Sequence, residues 1–91
     1  MPSQTKWTAT QLRAARRIPL KPLLDQIGYK MVPMSHDNWK VYGLSQEIVI
    51  KQNYWYSPDD RTGGNAIDLL VNVIGMSFSE AMATLQPYIQ P

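Results

Sequence analysis

The stretch Asn53–Leu70 constrains the fold of this chain more than any other part of the sequence. It opens with Tyr54–Tyr56, an aromatic run whose bulky rings favour the extended backbone of a β-strand. Ser57–Asp60 has the composition of a polar turn. Gly63-Gly64 then permits a positive φ before Asn65, a residue type that caps helices well. We therefore expect a strand, a tight turn and an abrupt helix start, in this order.

Two amphipathic helices are predicted after this turn. The first starts at Asn65 and ends near Gly75. The second starts at the capping pattern Ser77-x-x-Glu80 and is expected to end at Pro87. Their apolar positions recur at the spacing of one helix face. The expected core residues are Ile67, Leu70, Ile74, Phe78 and Leu85.

Two shorter helices and several strands are predicted in the first part of the chain. A Thr8-x-x-Gln11 capping pattern predicts a helix over residues 9–17. The leucine spacing predicts a second helix over residues 20–27, ended by Gly28. Changes of period and turn residues then predict short strands, at residues 29–32, 39–42, 48–50 and 54–56.

The predicted fold class is α+β. It consists of a small antiparallel sheet of three to four strands, with the N-terminal helices and the two C-terminal helices packed to one side. We expect residues 1–91 to form a single domain, with residues 1–7 flexible. The chain has no cysteine and no apolar run near the ~20 residues of a membrane span. We therefore expect a cytoplasmic protein with no membrane partner.

Charge is divided unevenly along the chain. Residues 1–40 hold seven lysine and arginine residues against two acidic ones, a net charge of +5. Residues 41–91 hold two against five, a net charge of −3. This asymmetry is compatible with an anionic partner at the first half, and a solvated basic helix face explains it equally well.

The sequence contains no catalytic constellation, and we expect neither an enzyme nor a cofactor. His36, the single histidine, lies in a predicted turn, where a surface residue is more typical than a ligand. Asp59-Asp60 favours a solvated turn over a hard-metal site, because no third carboxylate is spaced with the pair. Gly63-Gly64 lacks the lysine and the spacing of a phosphate-binding loop, so conformational need explains these glycines better.

Aromatic and basic residues are interleaved on the predicted strands. Such sheets suit single-stranded nucleic acid, because bases stack on the rings and cations hold the phosphates. Alternation places Trp55 on the face opposite to Tyr54 and Tyr56, so at most one set is buried and the other can form a stacking platform. The candidate binding residues are Trp39, Lys40, Tyr42, Lys51, Tyr54, Trp55, Tyr56 and Arg61, and Arg13, Arg16 and Arg17 would extend the basic track.

The passage from the aromatic run into the helix resembles the C-terminal half of the zinc-binding domain at the front of bacterial DNA primases. In that family an aromatic strand leads into Cys-x-x-Cys, then Gly-Asn-Ala-Ile-Asp and an apolar helix, and residues 64–68 match the pentapeptide as it stands. The family's two cysteines fall on Ser57 and Asp60, so the metal ligands are missing and we expect no metal. The resemblance covers roughly residues 15–85 and is sharpest over residues 53–85. Metal-less segments of this kind in primase-like, toprim-containing proteins of plasmids and conjugative elements are similar.

The resemblance implies a function in DNA replication. The primase family uses this sheet and its basic residues to engage the template strand. For this chain it implies a single-stranded DNA-binding accessory module of a mobile genetic element, working beside a primase, polymerase or helicase. The alternative is a protein-interaction module, or a small phage- or plasmid-encoded inhibitor, that binds a partner protein without contacting DNA.

Overall fold

The helices lie on one side of a five-stranded antiparallel sheet in the computed structural model of the chain, which describes residues 7–89. The strands are β1 (Lys30–Pro33), β2 (Trp39–Tyr42), β3 (Ile48–Lys51), β4 (Tyr54–Ser57) and β5 (Thr62–Gly64). The helices are α1 (Ala9–Arg16), α2 (Leu20–Ile27), α3 (Ala66–Asp68), which continues as a π-helical segment (Leu69–Ile74), and α4 (Phe78–Ile89). Residues 1–6, most of the segment predicted to be flexible, lie outside the described residues, and Trp7 packs against the core.

The sheet is a simple meander in which each strand pairs with the next in sequence. The predicted α+β class is therefore confirmed, with β5 as an additional strand. β5 pairs with β4 through the registers Trp55 to Gly64 and Ser57 to Thr62. The sequence concealed this strand because two of its three residues are glycines, which are depleted in strands.

Alternation along the strands gives the sheet two chemically different faces. The core face lies under the helices and carries Met31, Trp39, Val41, Ile48, Ile50 and Trp55. The outer face carries Lys30, Val32, Lys40, Tyr42, Val49, Lys51, Tyr54 and Tyr56. Because the meander keeps its register through all strands, these outer residues form one continuous surface.

The predicted caps set the ends of the helices. Thr8 and Gln11 form a reciprocal capping box at the start of α1, and Ser77 and Glu80 exchange the same pair of hydrogen bonds at the start of α4. Asn65 Oδ1 accepts hydrogen bonds from the amides of Ile67 and Asp68. These contacts satisfy amides that a helix start otherwise leaves without partners.

The C-terminal helices bury a different set of residues from the one predicted. Leu70 and Leu85 are fully buried, Ile67 and Ile74 are partly buried, and Phe78 is 47% exposed, so its assignment to the core was wrong. Phe78 lies in the first turn of α4, whereas the buried residues of that helix begin one turn later, at Ala81.

The helix that starts at Asn65 widens after its first turn into the π-helical segment. The amide of Gly75 donates to the Leu70 carbonyl, an i to i+5 bond of 3.0 Å. The buried residues of this helix are Ala66, Leu69 and Leu70, at the i, i+3, i+4 spacing of one helix face. Ile67 and Ile74 consequently lie at the margin of the core and not at its centre.

Pro87 does not end the last helix, which continues to Ile89. A proline inside a helix removes one backbone hydrogen bond and crowds the preceding turn. Here it lies within three residues of the helix end, where few bonds remain to be disturbed. Within residues 7–89, no helix combines the length and the apolar character needed to cross a membrane.

Candidate nucleic-acid interface

The outer face gathers the exposed aromatic residues of the sheet. Tyr42, Tyr54 and Tyr56 are all exposed there, and Tyr54 has 52% of its surface accessible. Tyr54 and Tyr56 are two residues apart on β4, which places them about 7 Å apart along the strand. That interval is long enough for successive bases of an extended single strand to contact both rings.

The two tryptophans of the candidate set lie on the core face. Trp55 is 2% exposed and its indole Nε1–H donates to the Asn65 carbonyl at 2.9 Å. Trp39 belongs to the same cross-strand row through Ile50 and is partly buried, with the Lys21 ammonium 4.5 Å from its ring centroid. Both rings serve the core, so the exposed aromatic set consists of the tyrosines.

The Tyr54 phenol occupies the space that a side chain on Gly63 would fill. A Cβ built on Gly63 would lie 2.5 Å from the Tyr54 hydroxyl oxygen, so the phenol rests directly on the glycine backbone of β5. Neither Gly63 nor Gly64 has a positive φ. The predicted reason for this glycine pair, conformational need before the helix, is therefore wrong. The glycines instead leave room for the neighbouring side chains of Tyr54 and Asp68.

The lysines of the outer face differ in how strongly they are already engaged. Lys40 lies 3.9 Å from the Glu47 carboxylate and 5.5 Å from the centroid of the Tyr42 ring. Within residues 7–89, Lys51 and Lys30 take part in neither of the salt bridges found. Lys51 pairs with Tyr54 across the strands and Lys30 pairs with Tyr42. Tyr42 and Tyr54 therefore each have a lysine beside them on the neighbouring strand.

Val49 lies at the centre of the outer face and is nevertheless 1% exposed. Its cross-strand neighbours are Lys40 and Tyr56, whose side chains flank it on either side. The long stem of a lysine and a tyrosine ring can both cover apolar surface while their polar ends stay in water. The register therefore places Lys40 and Tyr56 where they can cover Val49 from water.

The arginines of α1 meet the sheet at the β3–β4 turn. The Leu20 amide donates to the Gln52 carbonyl at 2.8 Å, and the Asn53 side-chain amide donates to the Arg16 carbonyl at 3.3 Å. The turn is thus tied both to the end of α1 and to the start of α2. These bonds bring the helix and the first residue of β4 together.

A cleft of about 400 Å³ opens at this junction, and we call it the arginine cleft. Its lining consists of Arg13, Arg16 and Arg17 from the helix side and Asn53, Tyr54, Gly64 and Asn65 from the sheet side. Tyr54 therefore belongs both to the outer face and to the arginine cleft. The predicted basic track of α1 is therefore joined to the outer face through the Tyr54 ring.

Arg61 lies apart from the other basic candidates. It is exposed in the turn between β4 and β5, with a φ of 56°, at the end of β4 opposite to Tyr54. Its neighbours in sequence are Asp59 and Asp60, which are also exposed. The position is adjacent to the Tyr56 end of the outer face and distant from the arginine cleft.

Ser57 and Asp60, the positions to which the predicted resemblance assigns the primase cysteines, lie in a small hydrogen-bonded turn. Ser57 is fully buried, and its hydroxyl accepts from the Asp60 amide at 3.5 Å. One hydroxyl and one carboxylate do not make a structural zinc site, which takes thiolate and imidazole ligands in sets of four. Among residues 7–89, no three His, Cys, Asp or Glu side chains come together as a metal-binding group.

The structure adds residues to the site that sequence reasoning missed. Lys30 and Val32 belong to the outer face, and their alternation along β1 opposite Tyr42 is the signal that could have identified them. Asn53 and Gly64 line the arginine cleft. No local pattern points to these two residues, because the cleft is formed by segments far apart in sequence.

Comparison of the chain with known protein families, curated proteins and solved structures finds no match. The resemblance to the primase zinc-binding domain therefore stays a prediction. It rests on residues 64–68 and on the strand, turn and helix around them.

Proposed function

We propose that this chain is a single-stranded DNA-binding accessory module of a replication or priming system. The observation that carries the proposal is the outer face, where Tyr42, Tyr54 and Tyr56 are exposed beside lysines on one continuous sheet surface. A platform of rings and cations binds single strands with little sequence preference, since every base has a face that stacks. The primase-like passage supports replication as the setting.

Size and charge keep the expected affinity modest. Stacking contributes about 1–3 kcal/mol per base on an aromatic ring, and the outer face carries three exposed tyrosines, Tyr42, Tyr54 and Tyr56. Rotational and translational freedom lost on binding offsets much of this gain. A partner primase, polymerase or helicase would raise the effective affinity by holding the module beside the same strand.

The proposal is tested by titrating a fluorescent 20-nucleotide single strand with the wild type and two tyrosine variants. Tyr56→Ala removes a ring from the outer face, whereas Tyr88→Ala removes a ring of nearly equal exposure from α4, 38% against 36%. We expect Tyr56→Ala to weaken binding by about 1–3 kcal/mol. Tyr88→Ala is expected to bind like the wild type, and equal losses in the two variants would contradict the proposed surface.

A groove on the helix side favours a second candidate function, binding of a partner protein. It has a volume of about 370 Å³ and is lined by Leu23, Ile27, Pro87 and Tyr88 among others. Apolar grooves between helices are typical contact sites for partner proteins. If the wild type binds no single strand, alone or with its cognate replication enzyme, this interaction function replaces the first.

A further inference from the structure

The arginine cleft concentrates more positive charge than its surroundings balance. Arg13 precedes Arg16 and Arg17 by three and four residues, so their side chains are neighbours on one side of the helix end, where like charges repel. Within residues 7–89 these arginines take part in neither salt bridge, although Arg13 donates a hydrogen bond to the Thr10 hydroxyl at 3.4 Å. The Asp68 carboxylate, which lies against Gly64 of the cleft lining, accepts a hydrogen bond from the Asn65 amide. The negative end of the α1 dipole offsets part of the repulsion. A bound anion of high charge would remove the rest.

Three guanidinium groups in one cleft favour a phosphate that carries more than one negative charge. A phosphodiester inside a strand carries one negative charge, whereas a terminal phosphate monoester carries about 1.5–2 at pH 7 and has three free oxygens. Each guanidinium presents donors in a planar fork that pairs with two phosphate oxygens at once. Several such forks around one cleft match a terminal phosphate better than an internal one.

The wall opposite the arginines supplies a surface for a base. Tyr54 has about half of its surface exposed, and its phenol end lies over Gly63, which has no side chain in its way. A base on this ring would have its phosphate directed toward α1, because the ring and the arginines line the same cleft. The cleft is broadly open to solvent, so a nucleotide would be held on its surface by the arginines and the ring, not enclosed.

We propose that the arginine cleft binds the terminal phosphate of a nucleotide whose base stacks on Tyr54. The proposal deepens the proposed function and rests on it, since the outer face would carry the remainder of a strand whose end lies in the cleft. The same chemistry is offered by two sources, the phosphorylated end of a DNA strand and a free nucleoside triphosphate. The experiment separates these sources.

The first arm uses a free nucleotide. Titrating dTTP, without divalent metal, into the isotope-labelled full chain is followed through the amide signals of Asn53 and Gly64, which line the cleft. Thymidine, which has the base and no phosphate, is the matched ligand control. We expect saturable shifts with dTTP and none of comparable size with thymidine.

The second arm uses 20-nucleotide strands that carry a phosphate at the 5′ end, at the 3′ end or at neither. We expect a phosphate at one of the ends to strengthen binding by about tenfold, the effect of about one hydrogen bond to a charged group. The double variant Arg13→Gln/Arg16→Gln should remove this gain. Lys21→Gln is the matched control, because Lys21 is paired with Asp25 on α2 and is not part of the cleft.

Each result has a defined meaning, once circular dichroism shows that the variants are folded. Shifts with dTTP assign a free nucleotide to the cleft, a phosphate gain assigns a strand end, and either supports the proposal. No dTTP shift together with equal affinities for the three strands overturns it. No dTTP shift together with a phosphate gain that persists in the double arginine variant also overturns it. The proposed function then still stands if Tyr56→Ala weakens binding. If no strand binds at all, the proposed function fails and the dTTP arm alone decides the cleft.

Discussion

At the scale of single residues, small side chains position the large ones on which the surface depends. Gly63 leaves room for the Tyr54 phenol, and Gly64 leaves room for the Asp68 side chain. Asp68 Oδ2 in turn accepts a hydrogen bond of 3.2 Å from the Asn65 amide, which completes the capping box of α3. The glycine pair therefore joins the outer face, the arginine cleft and the helix start at one point of the chain.

Gly64→Ala is predicted to destabilise the fold by about 1–3 kcal/mol, the usual cost of overpacking. The new methyl group would meet the Asp68 carboxylate and displace it from the Asn65 amide. Chemical denaturation measures the change. Since Gly64 has no positive φ, backbone strain does not contribute, and an unchanged midpoint would show that the cap tolerates the methyl group.

Leu70→Ala is predicted to cost about 2–5 kcal/mol of unfolding free energy, because Leu70 is fully buried where the π-helical segment meets the core. Thermal or urea unfolding detects a loss of this size easily in a small domain. Ile74→Ala serves as the comparison, since Ile74 is only partly buried and should cost clearly less. Equal costs at the two positions would contradict the assignment of Leu70 to the buried face and of Ile74 to the margin of the core.

At the scale of elements, local signals predicted the helix starts. They did not predict the π-helical segment or β5, which depend on packing between distant parts of the chain. Thr8, Asn65 and Ser77 each begin a helix because their side chains satisfy amides within three residues, which the sequence displays directly. The widening after Asp68 and the pairing of β5 with β4 depend on neighbours elsewhere in the fold. Sequence reasoning therefore took the glycine pair as conformational freedom before the helix and did not predict β5. Periodicity alone also placed Phe78 in the core, although it is exposed in the first turn of α4.

The same distinction applies to the candidate site. Alternation along β4 was sufficient to separate Trp55 from Tyr54 and Tyr56, and burial confirms that separation. It did not tell which set faces water. The sequence predicted the arginine side of the cleft only as a basic track. The second wall comes from residues 53–65, which are more than 30 residues away in the chain, so no local pattern joins the two sides.

Lys51→Gln is predicted to reduce the salt dependence of DNA binding more than its affinity at fixed salt. Each lysine that contacts a phosphate contributes about 0.7 to the slope of log K against log salt for a single strand. Lys40→Gln should change the slope less, because Lys40 already lies near Glu47. Titrations at several salt concentrations measure both slopes, and unchanged slopes in both variants would remove these lysines from the interface.

At the scale of the whole molecule, one hydrophobic core holds the helices against the sheet. The core runs from Ala15 and Leu20 in the first helices through Ile50 in the sheet to Leu85 in the last helix. Burial of these side chains is the main favourable term in folding. The sheet is thus covered on the core face, and the outer face stays available for a ligand.

Purified protein treated with a chelator is predicted to contain zinc far below one atom per chain and to melt at an unchanged temperature. Ser57 and Asp60 offer no thiolate or imidazole, and structural zinc requires such ligands. Elemental analysis and thermal unfolding provide the two measurements. Zinc retained at a near-stoichiometric level, or a melting temperature lowered by the chelator, would contradict a metal-independent fold.

Equilibrium binding of a fluorescent 20-nucleotide single strand to the wild-type chain, repeated at increasing salt, tests the central claim most directly. We predict saturable binding at low salt, with log K falling against log salt by about 2 for roughly three lysine–phosphate contacts. A duplex of the same sequence should bind more weakly, because its stacked bases are not available to Tyr42, Tyr54 and Tyr56. Absence of binding at low salt, both alone and with the cognate replication enzyme, would contradict the assignment of the outer face to single-stranded DNA.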